Sequence, residues 1–162
     1  MIKPLLFTLS TLGFIYYIIK YLSSSIKKID TVWLQASLAV AIATLIDITV
    51  KLYIHRYWFN TWVNNNPSLD VNHAYGFNFF YDASHEIASF PSGHTALTTS
   101  FLIVFWIAYP KSRILCALLI LAVGLGLILA DFHYVGDVIA GGFMGAYIGI
   151  FSSLLSKKLR LL

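Results

Sequence analysis

Two short segments of the sequence combine histidine, serine, glycine and aspartate at the starts of apolar stretches. Residues 89–95 read Ser-Phe-Pro-Ser-Gly-His-Thr, and residues 133–137 read His-Tyr-Val-Gly-Asp. Ionisable side chains are costly in a bilayer, so those at the ends of membrane helices usually have a function. His133 and Asp137 are four residues apart, which places them on one face of a helix. The aspartate can therefore hold one ring nitrogen and leave the other free to attack or to carry protons.

The Ser92-Gly93 pair is the kind of turn that binds phosphate. At the start of a helix, such a turn directs backbone N–H groups outward, towards a potential anion. Glycine lets a ligand approach the backbone because it has no Cβ. Taken alone, the pair is equally an ordinary helix-start turn. Its position between Pro91 and His94 favours phosphate binding.

The two segments resemble sequence blocks of the type 2 phosphatidic acid phosphatase (PAP2) superfamily, the membrane lipid-phosphate phosphatases and their haloperoxidase relatives. The family pattern is Lys-x6-Arg-Pro, then Pro-Ser-Gly-His, then Ser-Arg-x5-His-x3-Asp. This chain contains the whole second block and the His-x3-Asp end of the third, whereas Lys51 alone represents the first. The resemblance covers the chain from about residue 51 to its end. Two intact blocks joined by one helical hairpin make it specific.

The resemblance implies a role for each matching residue. His133 is expected to attack phosphorus and form a phosphohistidine, with Asp137 holding its other ring nitrogen. His94 is expected to protonate the leaving oxygen, a role that suits a side chain with a free pKa of about 6.5. Ser92 and Gly93 are expected to bind phosphate oxygens. For each histidine, the alternative is a structural position at a helix end.

Lys51 matches the lysine that neutralises phosphate in the family. Asp47 lies one helical turn before it, so we also expect an ion pair that holds both charges in a membrane helix. The two roles are compatible.

Four positions depart from the family pattern. Trp58 and Phe59 stand where the arginine and proline of the first block are expected, and Gly126 and Leu127 replace the Ser-Arg of the third. A phosphate dianion and its transition state normally draw on several cations. Arg56, two residues before the expected place, is a candidate substitute, and an ordinary arginine at the membrane surface is the equal alternative.

Three functions follow from these matches and departures. The favoured one is hydrolysis of a lipid-linked phosphate or pyrophosphate, such as phosphatidic acid, phosphatidylglycerol phosphate, polyprenyl pyrophosphate or lipid A. The second is a phosphotransferase that moves a phosphoryl group or phospho-headgroup to a lipid or sugar acceptor. The missing arginines favour it, because a phosphodiester carries one negative charge rather than two. The third is a non-catalytic protein that binds lipid phosphate.

No metal or cofactor is expected in any of these functions. His85-Glu86 begins the metalloprotease motif His-Glu-x-x-His, but Ser89 stands at its last position, so the motif fails.

The composition is that of an integral membrane protein. Of 162 residues, 59% are hydrophobic and only 11% are charged. A span needs about 20 apolar residues, and five stretches reach or approach that length: residues 4–22, 32–54, 92–109, 114–132 and 138–155. We predict an all-α fold, a polytopic transmembrane bundle of about five spans with a PAP2-like core, as a single domain over residues 1–162. Gly141, Gly145 and Gly149 offer a face for close helix packing.

The basic residues predict how the chain is oriented. They cluster at three places that alternate with the predicted spans: Lys27 and Lys28; Lys111 and Arg113; Lys157, Lys158 and Arg160. The positive-inside rule places these clusters in the cytoplasm, and this pattern explains the net charge of +4 without a nucleic-acid partner. The long loop at about residues 55–91 and both chemical segments then face outward. We expect a bacterial inner (plasma) membrane protein with a periplasmic site and a lipid phosphate substrate that enters from the bilayer; the oligomeric state is open.

Overall fold

A computed structural model describes residues 2–23, 27–62, 65–79 and 88–158. In chain order the elements are helices α1 (Ile2–Leu22) and α2 (Lys28–Tyr53), strand β1 (Ile54–Arg56), helix α3 (Leu69–Asn72), strand β2 (Phe77–Phe79), and helices α4 (Gly93–Ala108), α5 (Arg113–Leu129) and α6 (Val135–Lys158). A short 3-10 helix, Pro110–Ser112, joins α4 to α5.

The predicted all-α membrane bundle is confirmed. Lys28–Tyr53, Pro110–Leu129 and Val135–Leu155 are long and apolar enough to cross a membrane, and Thr11–Leu22 and Gly93–Ala108 are shorter apolar helices. A helix suits this environment because it satisfies its backbone hydrogen bonds internally.

Helix α4 lies at the centre of the bundle, in contact with α2, α5 and α6. The predicted glycine face of α6 packs against it: a Cβ at Gly141 would meet the carbonyl oxygen of Ser92, and one at Gly145 would meet that of Ala96. Small residues therefore let the two backbones approach closely. The core buried between the helices consists of Val32, Ala36, Ala39, Val40, Ala43, Ala96, Leu97, Val104 and Ile148.

The segment between α2 and α4 contains structure that the sequence did not predict. Strands β1 and β2 pair antiparallel, with Arg56 opposite Phe77, and β1 follows α2 directly. An isolated bridge also joins Arg56 to Ala88, just before the Pro-Ser-Gly-His segment. Backbone contacts of Arg56 in β1 therefore join the start of this segment to its end, next to the Pro-Ser-Gly-His residues. His85, Glu86 and Arg160, which are named in the sequence predictions, lie outside the described residues.

Candidate active site

Four side chains from distant parts of the chain converge at the start of α6. Arg56 comes from β1, Ser89 from the segment before α4, His133 from the turn after α5, and Asp137 from the first turn of α6. They are buried, with exposed fractions of 8%, 0%, 3% and 0% respectively. We call these four residues the Asp137 cluster. Such a concentration of ionisable groups in a membrane protein usually marks a functional site.

The carboxylate of Asp137 accepts hydrogen bonds on both oxygens. Oδ1 accepts from Arg56 Nη1 at 2.6 Å. Oδ2 accepts from Ser89 Oγ at 2.5 Å and from the backbone N–H of Tyr134 at 3.2 Å. These donors offset the large cost of removing a carboxylate from water.

One ring nitrogen of His133 faces this carboxylate. Nδ1 lies 3.6 Å from Asp137 Oδ2 and 3.4 Å from Ser89 Oγ. The two side chains are close, as the four-residue spacing predicts, although His133 lies in the turn before α6 rather than within the helix. Because Nδ1 is directed towards the carboxylate, Nε2 is the nitrogen that this ring can use for attack or proton transfer.

His94 lies beside His133. Their ring centroids are 6.5 Å apart, and both rings contact Phe132. His94 is half-buried in the first turn of α4, whereas His133 is buried. The two predicted catalytic histidines are therefore neighbours, although 39 positions of sequence separate them.

The Pro-Ser-Gly-His segment begins α4 and also touches α6. Ser92 Oγ accepts a hydrogen bond from the N–H of Thr95 at 3.4 Å, which is a helix cap. The Ser92 N–H donates to the carbonyl oxygen of Asp137 at 2.9 Å. Gly93, also buried, is the first residue of the helix. Ser92 therefore caps the start of α4, which is one of the two roles that the sequence analysis considered. Its backbone N–H also holds the start of α4 against α6.

Lys51 forms the expected ion pair within α2. Its Nζ lies 2.9 Å and 3.0 Å from the two carboxylate oxygens of Asp47. The pair stands in the last part of α2, three residues before β1 begins.

Arg56 is a buried residue of the Asp137 cluster. Its guanidinium carbon lies 4.1 Å from the ring centroid of Tyr134 and 4.8 Å from that of Phe77. Cation–π contacts of this kind help to hold the side chain. Burial raises the pKa of the Tyr134 hydroxyl above its ordinary value of 10.0, although the charge of Arg56 acts in the opposite direction. Tyr134 is therefore neutral at physiological pH.

Comparison with known proteins identifies the family. The family model described as the PAP2 superfamily matches residues 33–161. The chain belongs to the PAP2 superfamily. The lipid A 1-phosphatases of Rhizobium johnstonii (strain DSM 114642 / LMG 32736 / 3841) and Rhizobium etli (strain ATCC 51251 / DSM 11541 / JCM 21823 / NBRC 15573 / CFN 42) are each 30% identical to it over 95 residues.

Those 95 residues are 57% of this chain but only 39% and 41% of the two relatives, so the chain spans less than half the length of the curated relatives that it matches. No solved structure matches the chain.

This PAP2 site contains three residues that the sequence analysis did not assign to it. Trp58, where the PAP2 pattern has an arginine, lies with its ring 5.2 Å from that of His133. Ser89 and Tyr134 contact Asp137 directly. Both lie inside the two quoted segments: Ser89 precedes the second block, and Tyr134 occupies a variable position of the third. The polar side chain of Ser89 beside a block was an available signal, whereas Tyr134 contacts Asp137 through its backbone N–H, which no side-chain pattern indicates.

Proposed function

We propose that this PAP2 protein hydrolyses a lipid-linked phosphate or pyrophosphate through a phosphohistidine at His133. The observation that carries the proposal is the pair of adjacent histidines, of which His133 has Nδ1 directed towards the buried carboxylate of Asp137. The names of the two Rhizobium relatives support a phosphate on a lipid as the substrate class.

The proposed reaction has two displacements. In the first, the lone pair of His133 Nε2 forms a bond to phosphorus while the bond from phosphorus to the lipid oxygen breaks. Protonated His94 gives its proton to that oxygen. In the second, neutral His94 removes a proton from water, water oxygen bonds to phosphorus, and the N–P bond breaks to release phosphate. Asp137 stabilises the positive charge that the first step creates on His133.

The phosphate oxygens need partners during both displacements. We assign this role to Lys51, Arg56, Ser92 and Gly93. An arginine side chain has five N–H donors in a fixed plane, and the bond from Arg56 Nη1 to Asp137 occupies one of them. Arg56 therefore takes the place of the arginine that the first PAP2 block lacks here. Since Arg56 and Lys51 are each paired with a carboxylate, these two ion pairs add no net positive charge to the site.

The substrate is proposed to reach the site from the bilayer on the non-cytoplasmic side, since withdrawing acyl chains from hydrocarbon costs about 0.8 kcal/mol per CH₂ group. Two stacked rings of β2 support this route. Phe77 and Phe79 have exposed fractions of 42% and 61%, with ring centroids 5.9 Å apart. Phe77 also contacts Arg56. An apolar surface therefore adjoins the proposed phosphate site.

A phosphotransferase is the second candidate, and Trp58 is the observation that favours it. An aromatic ring rather than a guanidinium lies against His133. A site with fewer cations suits a phosphodiester, which has one negative charge, better than a monoester dianion. The product would be a headgroup joined to a second lipid or sugar.

Phosphate release by the purified chain tests the proposal. The substrates are phosphatidic acid, phosphatidylglycerol phosphate, a polyprenyl pyrophosphate and lipid A in detergent, each with and without a chelator. The native chain is compared with His133→Ala and with Ser100→Ala. Ser100 is a matched control because it is buried and its hydroxyl bonds within α4. Release that requires His133 and resists the chelator supports hydrolysis. An active His133→Ala variant contradicts the mechanism, and turnover only with an acceptor supports the transferase.

A further inference from the structure

Ser89 stands between the two residues of the proposed nucleophilic pair. Its Oγ lies 2.5 Å from Asp137 Oδ2 and 3.4 Å from His133 Nδ1, whereas the two outer atoms are 3.6 Å apart. The backbone of Ser89 is fixed as well, because its N–H donates to the carbonyl oxygen of Arg56 at 3.2 Å. A fully buried hydroxyl in this position connects the histidine to the carboxylate.

The directions of these hydrogen bonds follow from the groups involved. A hydroxyl has one proton and two lone pairs, and an ionised carboxylate only accepts. The short contact with Asp137 therefore uses the Ser89 proton. Ser89 Oγ can then offer only a lone pair to His133. A hydrogen bond between the two side chains therefore requires a proton on Nδ1. Asp137 Oδ2, the other atom near Nδ1, is also an acceptor, so both neighbours select the same tautomer.

We propose that Ser89 is a positioning residue that fixes His133 as the Nδ1–H tautomer. The lone pair of Nε2 is then available to form the bond to phosphorus, and the Nδ1 proton stays in place through both displacements. As His133 becomes positively charged, its Nδ1–H bond to the Ser89 hydroxyl strengthens, and the charge of the Asp137 carboxylate, whose other oxygen is held by Arg56, stabilises the imidazolium. This inference rests on the proposed role of His133 as nucleophile.

Several titratable or charged groups lie near His133 within the part of the chain that the structure describes. They include Asp137 from α6, Arg56 from β1 by way of that carboxylate, Tyr134 from the turn and His94 from α4. Trp58 and Phe132 present rings to it. The Tyr134 hydroxyl donates to the carbonyl oxygen of Trp58, away from His133. Among the contacts on Nδ1, Ser89 supplies the shorter one.

Histidine nitrogen NMR of the chain in detergent micelles tests the inference without requiring turnover. Labelled histidine reports the tautomer of each ring, and His133→Ala assigns the signal. We expect His133 of the native chain to be the Nδ1–H tautomer and that of Ser89→Ala to be a mixture, because the remaining acceptor, Asp137 Oδ2, lies 3.6 Å from Nδ1, beyond ordinary hydrogen-bond length. We also expect kcat to fall about 10- to 100-fold with little change in KM, the size of loss found when a group that orients a reactive side chain is removed. Ser100→Ala should retain both the tautomer and kcat.

Ser89→Cys provides a second variant of nearly the same size if Ser89→Ala does not fold. Its thiol is a weak hydrogen-bonding group, so we expect a partial loss of the Nδ1–H tautomer and a smaller fall in kcat. An unchanged tautomer in the folded variants would overturn the inference, even if kcat falls. A tautomer that depends on Ser89 in a chain without phosphatase activity would support the inference and contradict the proposed function instead.

Discussion

At the scale of single residues, the site depends on how the carboxylate of Asp137 is shared. Arg56 holds one oxygen, and Ser89 with the Tyr134 N–H holds the other. His133 is the fourth group near that carboxylate, through Nδ1. Loss of any donor changes both the charge balance of a buried group and the orientation of the proposed nucleophile.

Arg56→Ala should destabilise the protein as well as inactivate it. The variant leaves Asp137 buried without its cation, and breaking a buried ion pair from one side typically costs about 3–5 kcal/mol. Thermal unfolding in detergent measures the change. The double variant Arg56→Met with Asp137→Asn removes both charges, so it should recover much of the stability while phosphate release stays low. An Arg56→Ala protein with native stability would contradict the importance of this pair.

The proximity of His133 and Asp137 was predictable from their four-residue spacing, although His133 lies two residues before α6 begins. The Arg56–Asp137 pair was not, because its members are 81 positions apart and meet only when β1 packs against the start of α6. Ser89 was likewise inaccessible to spacing arguments, since its partners lie 44 and 48 positions away.

At the scale of elements, the close approach of α4 and α6 positions both histidines. His94 stands in the first turn of α4, and His133 precedes α6 by two residues. The hydrogen bond from the Ser92 N–H to the Asp137 carbonyl joins the two helix starts. The distance between the rings therefore depends on how tightly these helices pack.

Gly145→Ala should loosen this packing. The added Cβ would collide with the carbonyl oxygen of Ala96 and with Thr99, and overpacking of this kind costs about 1–3 kcal/mol. Gly126→Ala is the control, because a Cβ there meets no atom within 4 Å. We expect a lower melting temperature and reduced phosphate release for Gly145→Ala alone. Equal behaviour of the two variants would refute the packing argument.

Long apolar runs in the sequence predicted the helices, and glycines spaced four residues apart indicated the packing face of α6. Strands β1 and β2 were not visible, because each has three residues and neither shows a period that distinguishes it from a loop. The position of β1 also depends on contacts made elsewhere in the fold, such as that of Arg56 with Tyr134.

At the scale of the whole molecule, the proposed function includes a site that faces away from the cytoplasm. The three basic clusters predict this orientation through the positive-inside rule. Asp70 in α3 and Lys111 between α4 and α5 are both exposed, and the prediction places them on opposite sides of the membrane.

Thiol labelling of intact cells tests the orientation. In a Cys116→Ala background, which removes the single native cysteine, a membrane-impermeant maleimide should label Asp70→Cys but not Lys111→Cys. Both should be labelled once the membranes are permeabilised, which serves as the control for reactivity. Labelling of Lys111→Cys alone in intact cells would reverse the predicted topology.

The family and the membrane-bundle architecture were predictable from the sequence. The Pro-Ser-Gly-His block, the His-x3-Asp end of the third block and the hydropathy pattern can all be read directly from the order of residues. The identity of the lipid is a different matter: it depends on the shape of the surface around Phe77, Trp58 and the loop between α2 and α4, which arises only in the folded protein. Substrate selection should therefore change with that loop more than with the blocks.

The proposed mechanism passes through a covalent phosphohistidine at His133, and trapping this intermediate tests the mechanism directly. The purified chain is mixed with a lipid substrate radiolabelled on phosphorus and quenched within the first turnover in alkaline detergent, which preserves phosphohistidine. We expect label on the native protein that is lost in acid, and none on His133→Ala. Label retained by His133→Ala, or label that survives acid, would contradict it.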